Sequence, residues 1–222
     1  MLVIAAILFF LTHLGVSATP LRGVLVKALG DGAYLAAYSL VSVTSLGFLI
    51  YAYGSASHTD FLWPPTPTAF ALTKVLMAVA FLLLTLGLLT KNPTAVGQQD
   101  AVRLPLNGVF AIVRHPVQWA ILLWAIAHLM SNGDIASIIL CGTIALVSTL
   151  GMVAMDRKKR AQPEPEWQAF FKKTSFFPFV AIAARRNSLS FRDINWFAVA
   201  GGLAAYVGVY ALHGWIAGVP LV

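Results

Sequence analysis

Residues Arg114–Asp134 read RHPVQWAILLWAIAHLMSNGD, and this stretch decides the fold. Arg114 and His115 are followed by Pro116, which suits the first position of a helix because the amide it lacks would have had no intrahelical partner. An almost wholly apolar run follows, with Trp119 and Trp124, and a second histidine, His128, stands near its far end. Asn132-Gly133 is a tight-turn signal, and Asp134 is a good N-cap for the next apolar run. The stretch therefore predicts an antiparallel hairpin of two apolar helices. A titratable ring inside such a helix is unfavourable unless it is paired or liganded, so His115 and His128 are candidate site residues.

Outward from this hairpin the chain repeats the pattern. Of 222 residues, 59% are hydrophobic and 10% charged, where soluble domains carry about 25% charged residues. A lipid-crossing helix needs roughly 20 apolar residues. Spans are predicted at 1–17, 33–54, 68–90, 115–131, 134–155 and 194–217. Pro64, Pro65 and Pro67 precede the third, and Lys91 and Pro93 follow it. Val16-Ser17-Ala18 resembles a signal-peptidase site, but no basic region precedes the first apolar run, which is read as a retained span. The expected fold class is all-α, a polytopic transmembrane bundle of about six spans forming one domain, with a loop at 156–193.

The charge pattern orients this bundle. Basic residues per connection run 2, 0, 3, 0, 9 and 0 along the chain. The positive-inside rule then places both termini outside the cytoplasm and the 156–193 loop inside. The net charge of +7 is accordingly a topology signal, and no nucleic-acid partner is expected. Within the loop, PEPEWQAFFK places Trp167, Phe170 and Phe171 on one helical face. That face suits either a helix lying on the inner leaflet or one packed against the bundle. Lys74 is the one basic residue inside a predicted span. It either snorkels to the interface or meets an acidic ligand group such as a haem propionate. The lone cysteine, Cys141, lies in an apolar run and reads as an inert buried thiol.

The five histidines are His13, His58, His115, His128 and His213. His115 and His128 are 13 residues apart, which on a regular helix is ~20 Å along the axis and about 140° in direction. They cannot hold one metal ion together. By depth, His13 pairs with His115, and His128 with His58 or His213. No HExxH, CxxC, Walker loop or nucleophile elbow occurs.

FFLTHLGVSATPLR, GDGAYLAAYSLVSVTSLGFLIYAYG, RHPVQWAILLWAIAHLMSNGDIASIIL and PEWQAFFKKTSFFPF resemble the NnrU family over nearly the whole chain. These are bacterial inner-membrane proteins associated with denitrification gene clusters. The resemblance implies a role in nitrogen-oxide metabolism or a related redox pathway, with other membrane redox or respiratory proteins as partners. The family is similar to plant zeta-carotene isomerase, an integral-membrane haem b protein. By motif, His13 and His128 match its ligand candidates and His115 matches the RHP histidine. That enzyme has a cysteine three residues before the second of these, where this chain has Ala125. A thiolate ligand is not implied here. The RHP opening and the cytoplasmic acidic-aromatic segment are also similar to isoprenylcysteine carboxyl methyltransferases. That similarity implies S-adenosylmethionine near Arg114 and His115, with Glu164 and Glu166 as the matching acidic pair. A non-catalytic accessory protein, binding partners through the basic loop, is the third expectation.

Overall fold

The computed structural model describes residues 1–106 and 108–218. Its helices are α1 (Leu2–Phe10), α2 (Leu21–Leu29), α3 (Asp31–Gly54), α4 (Pro67–Leu89), α5 (Gly108–Ile112), α6 (Pro116–Ser131), α7 (Ile135–Arg160), α8 (Pro165–Lys173), α9 (Val180–Ala183) and α10 (Trp196–Ala217). A π-helical turn, Leu11–Gly15, continues α1. Among the described residues four helices, α3, α4, α7 and α10, are long and apolar enough to cross a membrane, and α6 and the α1 segment are shorter apolar helices. At most 22% of the most apolar window of those four is buried, so their hydrophobic side chains largely face outward, as lipid demands and water forbids. The all-helical membrane architecture agrees with the sequence reading. The main departure is at α7. It runs on to Arg160, five residues past the predicted end, because the basic run at its C-terminus complements the helix dipole.

The chain divides into two compact units. The first comprises Met1–Phe70 and Ala125–Ala154. Here Leu2, Ala5, Ala6 and Phe9 form one buried stripe of α1, at the spacing of a helix face. It packs along α3, whose own buried residues Ser45, Leu49 and Ala52 follow the same spacing. α2 folds back on the start of α3 and buries no side chain fully. The connection between α3 and α4 is tied to the α6–α7 turn. Leu62 N–H donates to the Gly133 carbonyl (2.8 Å), Ile135 N–H to the Asp60 carbonyl (3.0 Å), and Trp63 Nε1–H to the Leu129 carbonyl (3.1 Å). Gly133 is required by this approach, since a Cβ there would collide with the Trp63 carbonyl and indole.

The second unit comprises Ala71–Trp124 and the chain from Met155 onward. Its core joins Leu83 and Leu86 of α4, Val109 and Phe110 of α5, Val113, Ala120 of α6, the three aromatics of α8 and Ala198 of α10. The α8 helix thus turns Trp167, Phe170 and Phe171 inward. Of the two sequence readings of that face, the packed one holds. Close helix approaches rest on glycine. A Cβ on Gly87 would press on Pro116 and Val117, and one on Gly202 would press on Thr85 and the Phe81 carbonyl. Asn195 caps α10 through its side chain and also donates from Nδ2 to the Leu89 carbonyl (3.0 Å).

Candidate functional site

The most developed polar cluster lies in the second unit, where α6 begins and α7 ends. Pro116 opens α6, so Arg114 and His115 are held just before it, and the His115 carbonyl accepts the first helical bond from Trp119. Arg114 N–H donates to the Ser175 carbonyl (2.9 Å), Phe179 N–H to the Ile112 carbonyl (2.8 Å), and Trp119 Nε1–H to the Phe176 carbonyl (2.8 Å). The segment after α8 is therefore stitched along residues 112–119. This brings Thr174 under the guanidinium. Arg114 Nε donates to Thr174 Oγ1 (2.9 Å) and Nη2 to the Thr174 carbonyl (3.3 Å).

Asp156, near the end of α7, joins both members of the motif. One carboxylate oxygen accepts from Arg114 Nη1 and the other from His115 Nε2 at 2.7 Å. All three residues are buried, and His115 is only 1% exposed. Aromatic rings close the cluster, with the Phe171 ring 4.4 Å from the guanidinium carbon and the Phe176 ring 6.2 Å from the imidazole. Burial pushes the His115 imidazole below the ordinary histidine value, although the hydrogen bond and charge of Asp156 oppose this. A neutral imidazole beside one guanidinium and one carboxylate leaves the cluster with no net charge, the economical state for buried ionic groups. With its proton on Nε2, His115 keeps a lone pair on Nδ1, and that atom is buried with no hydrogen-bond partner.

In the first unit, His13 sits at the centre of the π-helical turn, half-buried. Its Nδ1 donates to the Phe9 carbonyl at 2.9 Å, and the two rings lie 4.0 Å apart. The Tyr38 hydroxyl donates to the His13 carbonyl (3.3 Å), and Thr12 donates back to the Leu8 carbonyl (2.8 Å). A π-turn makes one backbone carbonyl less committed and is frequent at functional positions. The Phe9 bond fixes the proton on Nδ1 and leaves the lone pair on Nε2. This is the arrangement metal-ligating histidines adopt. His13 therefore has the donor chemistry that a haem iron takes.

The remaining candidates lie elsewhere. His128 is in the last turn of α6, half-buried, and its carbonyl receives the Asn132 N–H (2.9 Å) and side-chain amide (3.0 Å). His58 Nδ1 pairs with Asp134 Oδ1 at 2.9 Å. Burial pushes the Asp134 carboxyl up, but hydrogen bonds from Ser137 and His58 outweigh it and hold the group below its ordinary value. Lys74 lies 5.8 Å from the centre of the Tyr210 ring. His213 falls near the end of α10. Glu164 stands at the N-cap position of α8 without a side-chain cap, and Glu166 lies in its first turn, where its charge suits the helix dipole. Among the described residues no three His, Cys, Asp or Glu side chains converge as a metal site. Sequence reasoning missed Asp156 and Thr174. The signal for Asp156 was available, since it is the one acid between a long apolar run and Arg157-Lys158-Lys159-Arg160.

The profile described as "NnrU protein" matches residues 1–221. The chain belongs to the NnrU family. A curated relative of this family member is the chloroplastic 15-cis-zeta-carotene isomerase of Arabidopsis thaliana, 23% identical over 224 residues. The match covers 93% of this chain and 58% of the isomerase, so the chain spans little more than half of that relative's length. No solved structure matches the chain.

Proposed function

We propose that this NnrU protein is a redox-linked membrane protein that holds a haem b, which His13 would ligate through Nε2. The observation that carries this is the Phe9–His13 pair, which presents an oriented Nε2 from a π-turn. Haem b, when bound, supplies one-electron redox chemistry at iron. The Phe9 carbonyl orients the imidazole and holds its proton on Nδ1. Tyr38 lies edge-on to the His13 ring at 6.3 Å. The Arg114–His115–Asp156 cluster fixes the segment after α8 and presents no exposed group to a cofactor. The S-adenosylmethionine reading at Arg114 and His115 therefore draws no support from this geometry.

The proposed setting is the bacterial inner membrane, with six spans, both termini outside, and a role in nitrogen-oxide metabolism or a related pathway alongside respiratory partners. The loop charge alternation supports that orientation. Similarity to an enzyme named for zeta-carotene favours a second reading, isomerisation of an apolar polyene drawn from the bilayer. The test is a reduced-minus-oxidised spectrum of protein purified after haem supplementation. Soret and α bands that vanish in His13→Ala and persist in His128→Ala support the assignment. A featureless wild-type spectrum removes it, and an accessory role then requires complementation by both variants.

A further inference from the structure

The segment between α8 and α10 displays an apolar surface with basic neighbours that the proposed function does not use. Phe177, Phe179, Val180, Phe191 and Trp196 are exposed, Phe191 by 70%. Interleaved with them are exposed Lys172, Lys173, Arg185, Arg186 and Arg192, against the single acid Asp193. Two backbone positions here are left-handed in residues that rarely adopt it, Phe179 (φ 64°) and Arg185 (φ 54°). They bracket α9. Arg185 closes that helix where glycine is usual, its N–H donating to the Ile182 carbonyl while Arg186 N–H donates to Ala181 (both 2.9 Å). Side chains at these positions carry a strain that glycine would avoid.

The two arginines differ in what they touch. Arg186 caps the end of α8, giving hydrogen bonds to the Lys172 (2.8 Å) and Thr174 (2.9 Å) carbonyls. The Arg185 and Arg192 side chains have no protein partner among the described residues. Phe179 likewise packs its ring on no other ring, though its backbone is pinned to Ile112. Trp196 Nε1–H donates to the Phe191 carbonyl (3.0 Å), which fixes these two aromatics together where α10 starts. Aromatics at the head of a span and basic residues free of acids are the chemistry of an anionic lipid interface.

We infer that this segment is a docking surface for anionic phospholipid, with Arg185 and Arg192 gripping headgroup phosphate while Phe177, Phe179 and Phe191 enter the acyl boundary. The surface is distinct in kind from the haem proposal and stands without it. A basic side chain near an anionic leaflet contributes about fivefold in affinity, so losing both arginines costs roughly 25-fold. The test uses full-length protein in detergent, with phosphatidylglycerol retention read by native mass spectrometry. Arg185→Gln with Arg192→Gln is expected to lose retained phosphatidylglycerol, while Lys27→Gln, on the exposed face of α2, keeps it. A second measurement places a polarity-sensitive dye at Phe179→Cys in a Cys141→Ala background, in nanodiscs. The expected emission is blue-shifted and protected from acrylamide when phosphatidylglycerol is present. Equal retention by the double variant, a fully quenchable dye, or displacement of the lipid by millimolar inorganic phosphate overturns the proposal.

Discussion

Asp156→Asn tests whether the buried cluster is an interdependent unit. The substitution keeps the shape and removes the charge. Asparagine can still accept from Arg114, but its amide then faces His115 Nε2. The imidazole must move its proton to Nδ1, which has no partner. Arg114, whose side chain is 4% exposed, loses its counter-charge and is left with neutral acceptors, Thr174 and the asparagine oxygen. Breaking one partner of a buried pair costs about 3–5 kcal/mol. Asp156 is 12% exposed at its side chain, so water relieves part of this, and about 3 kcal/mol is the working figure. That is roughly a 150-fold shift in the unfolding equilibrium. The assay is SDS unfolding in bicelles followed by tryptophan fluorescence. Arg114→Met combined with Asp156→Leu removes both charges together and is expected to recover most of the loss. The reasoning is wrong if Asp156→Asn falls within about 0.5 kcal/mol of wild type, the ordinary scatter of surface changes, or if the apolar pair is no better than the single variant.

Three further outcomes follow from the same geometry. Gly133→Ala forces the α6–α7 turn off Trp63 and lowers stability by about 1–3 kcal/mol, with faster proteolysis of the α3–α4 connection than in wild type. Phe170→Ala opens the α8 core and costs about 3–5 kcal/mol in the SDS assay, whereas exposed Phe177→Ala costs under about 1. For pH, two depressed groups that titrate in an accessible range outside the helices are His115 and Asp134. The unfolded chain binds more protons at each, so stability is full above the ordinary values of 6.5 and 3.8 and falls as pH drops below them. His115→Gln is expected to flatten the dependence on the acid side of 6.5, and Asp134→Asn the part below 3.8. Unchanged profiles would show that neither group is linked to folding.

The apolar runs, prolines and caps made the helix limits legible to within a few residues, because in lipid the backbone must satisfy itself within each helix. The hairpin at Asn132-Gly133 was readable for the same local reasons. What the sequence hid depends on distance along the chain. His115 meets Asp156 at 41 residues' separation, and Arg114 meets Thr174 at 60, through a loop whose path no periodicity encodes. The face of α8 was visible as amphipathic, yet its pattern suits lipid and protein equally, and only the core it meets decides. His13 was legible as a histidine in an apolar helix. Its π-turn was not, because the register change leaves no mark in residue type.

The α7 helix also acts as a gauge of phase. At 26 residues it extends about 39 Å, beyond the roughly 30 Å of a hydrocarbon core, and it delivers Asp156 on its final turns. Because each residue turns the helix by about 100°, a single insertion or deletion just before Asp156 would swing the carboxylate away from Arg114 and His115 while leaving hydropathy untouched. The length of this helix is thus constrained one residue at a time, whereas the connection at 187–189 is free of that constraint. Length variation among natural homologues should therefore collect in the second place and avoid the first.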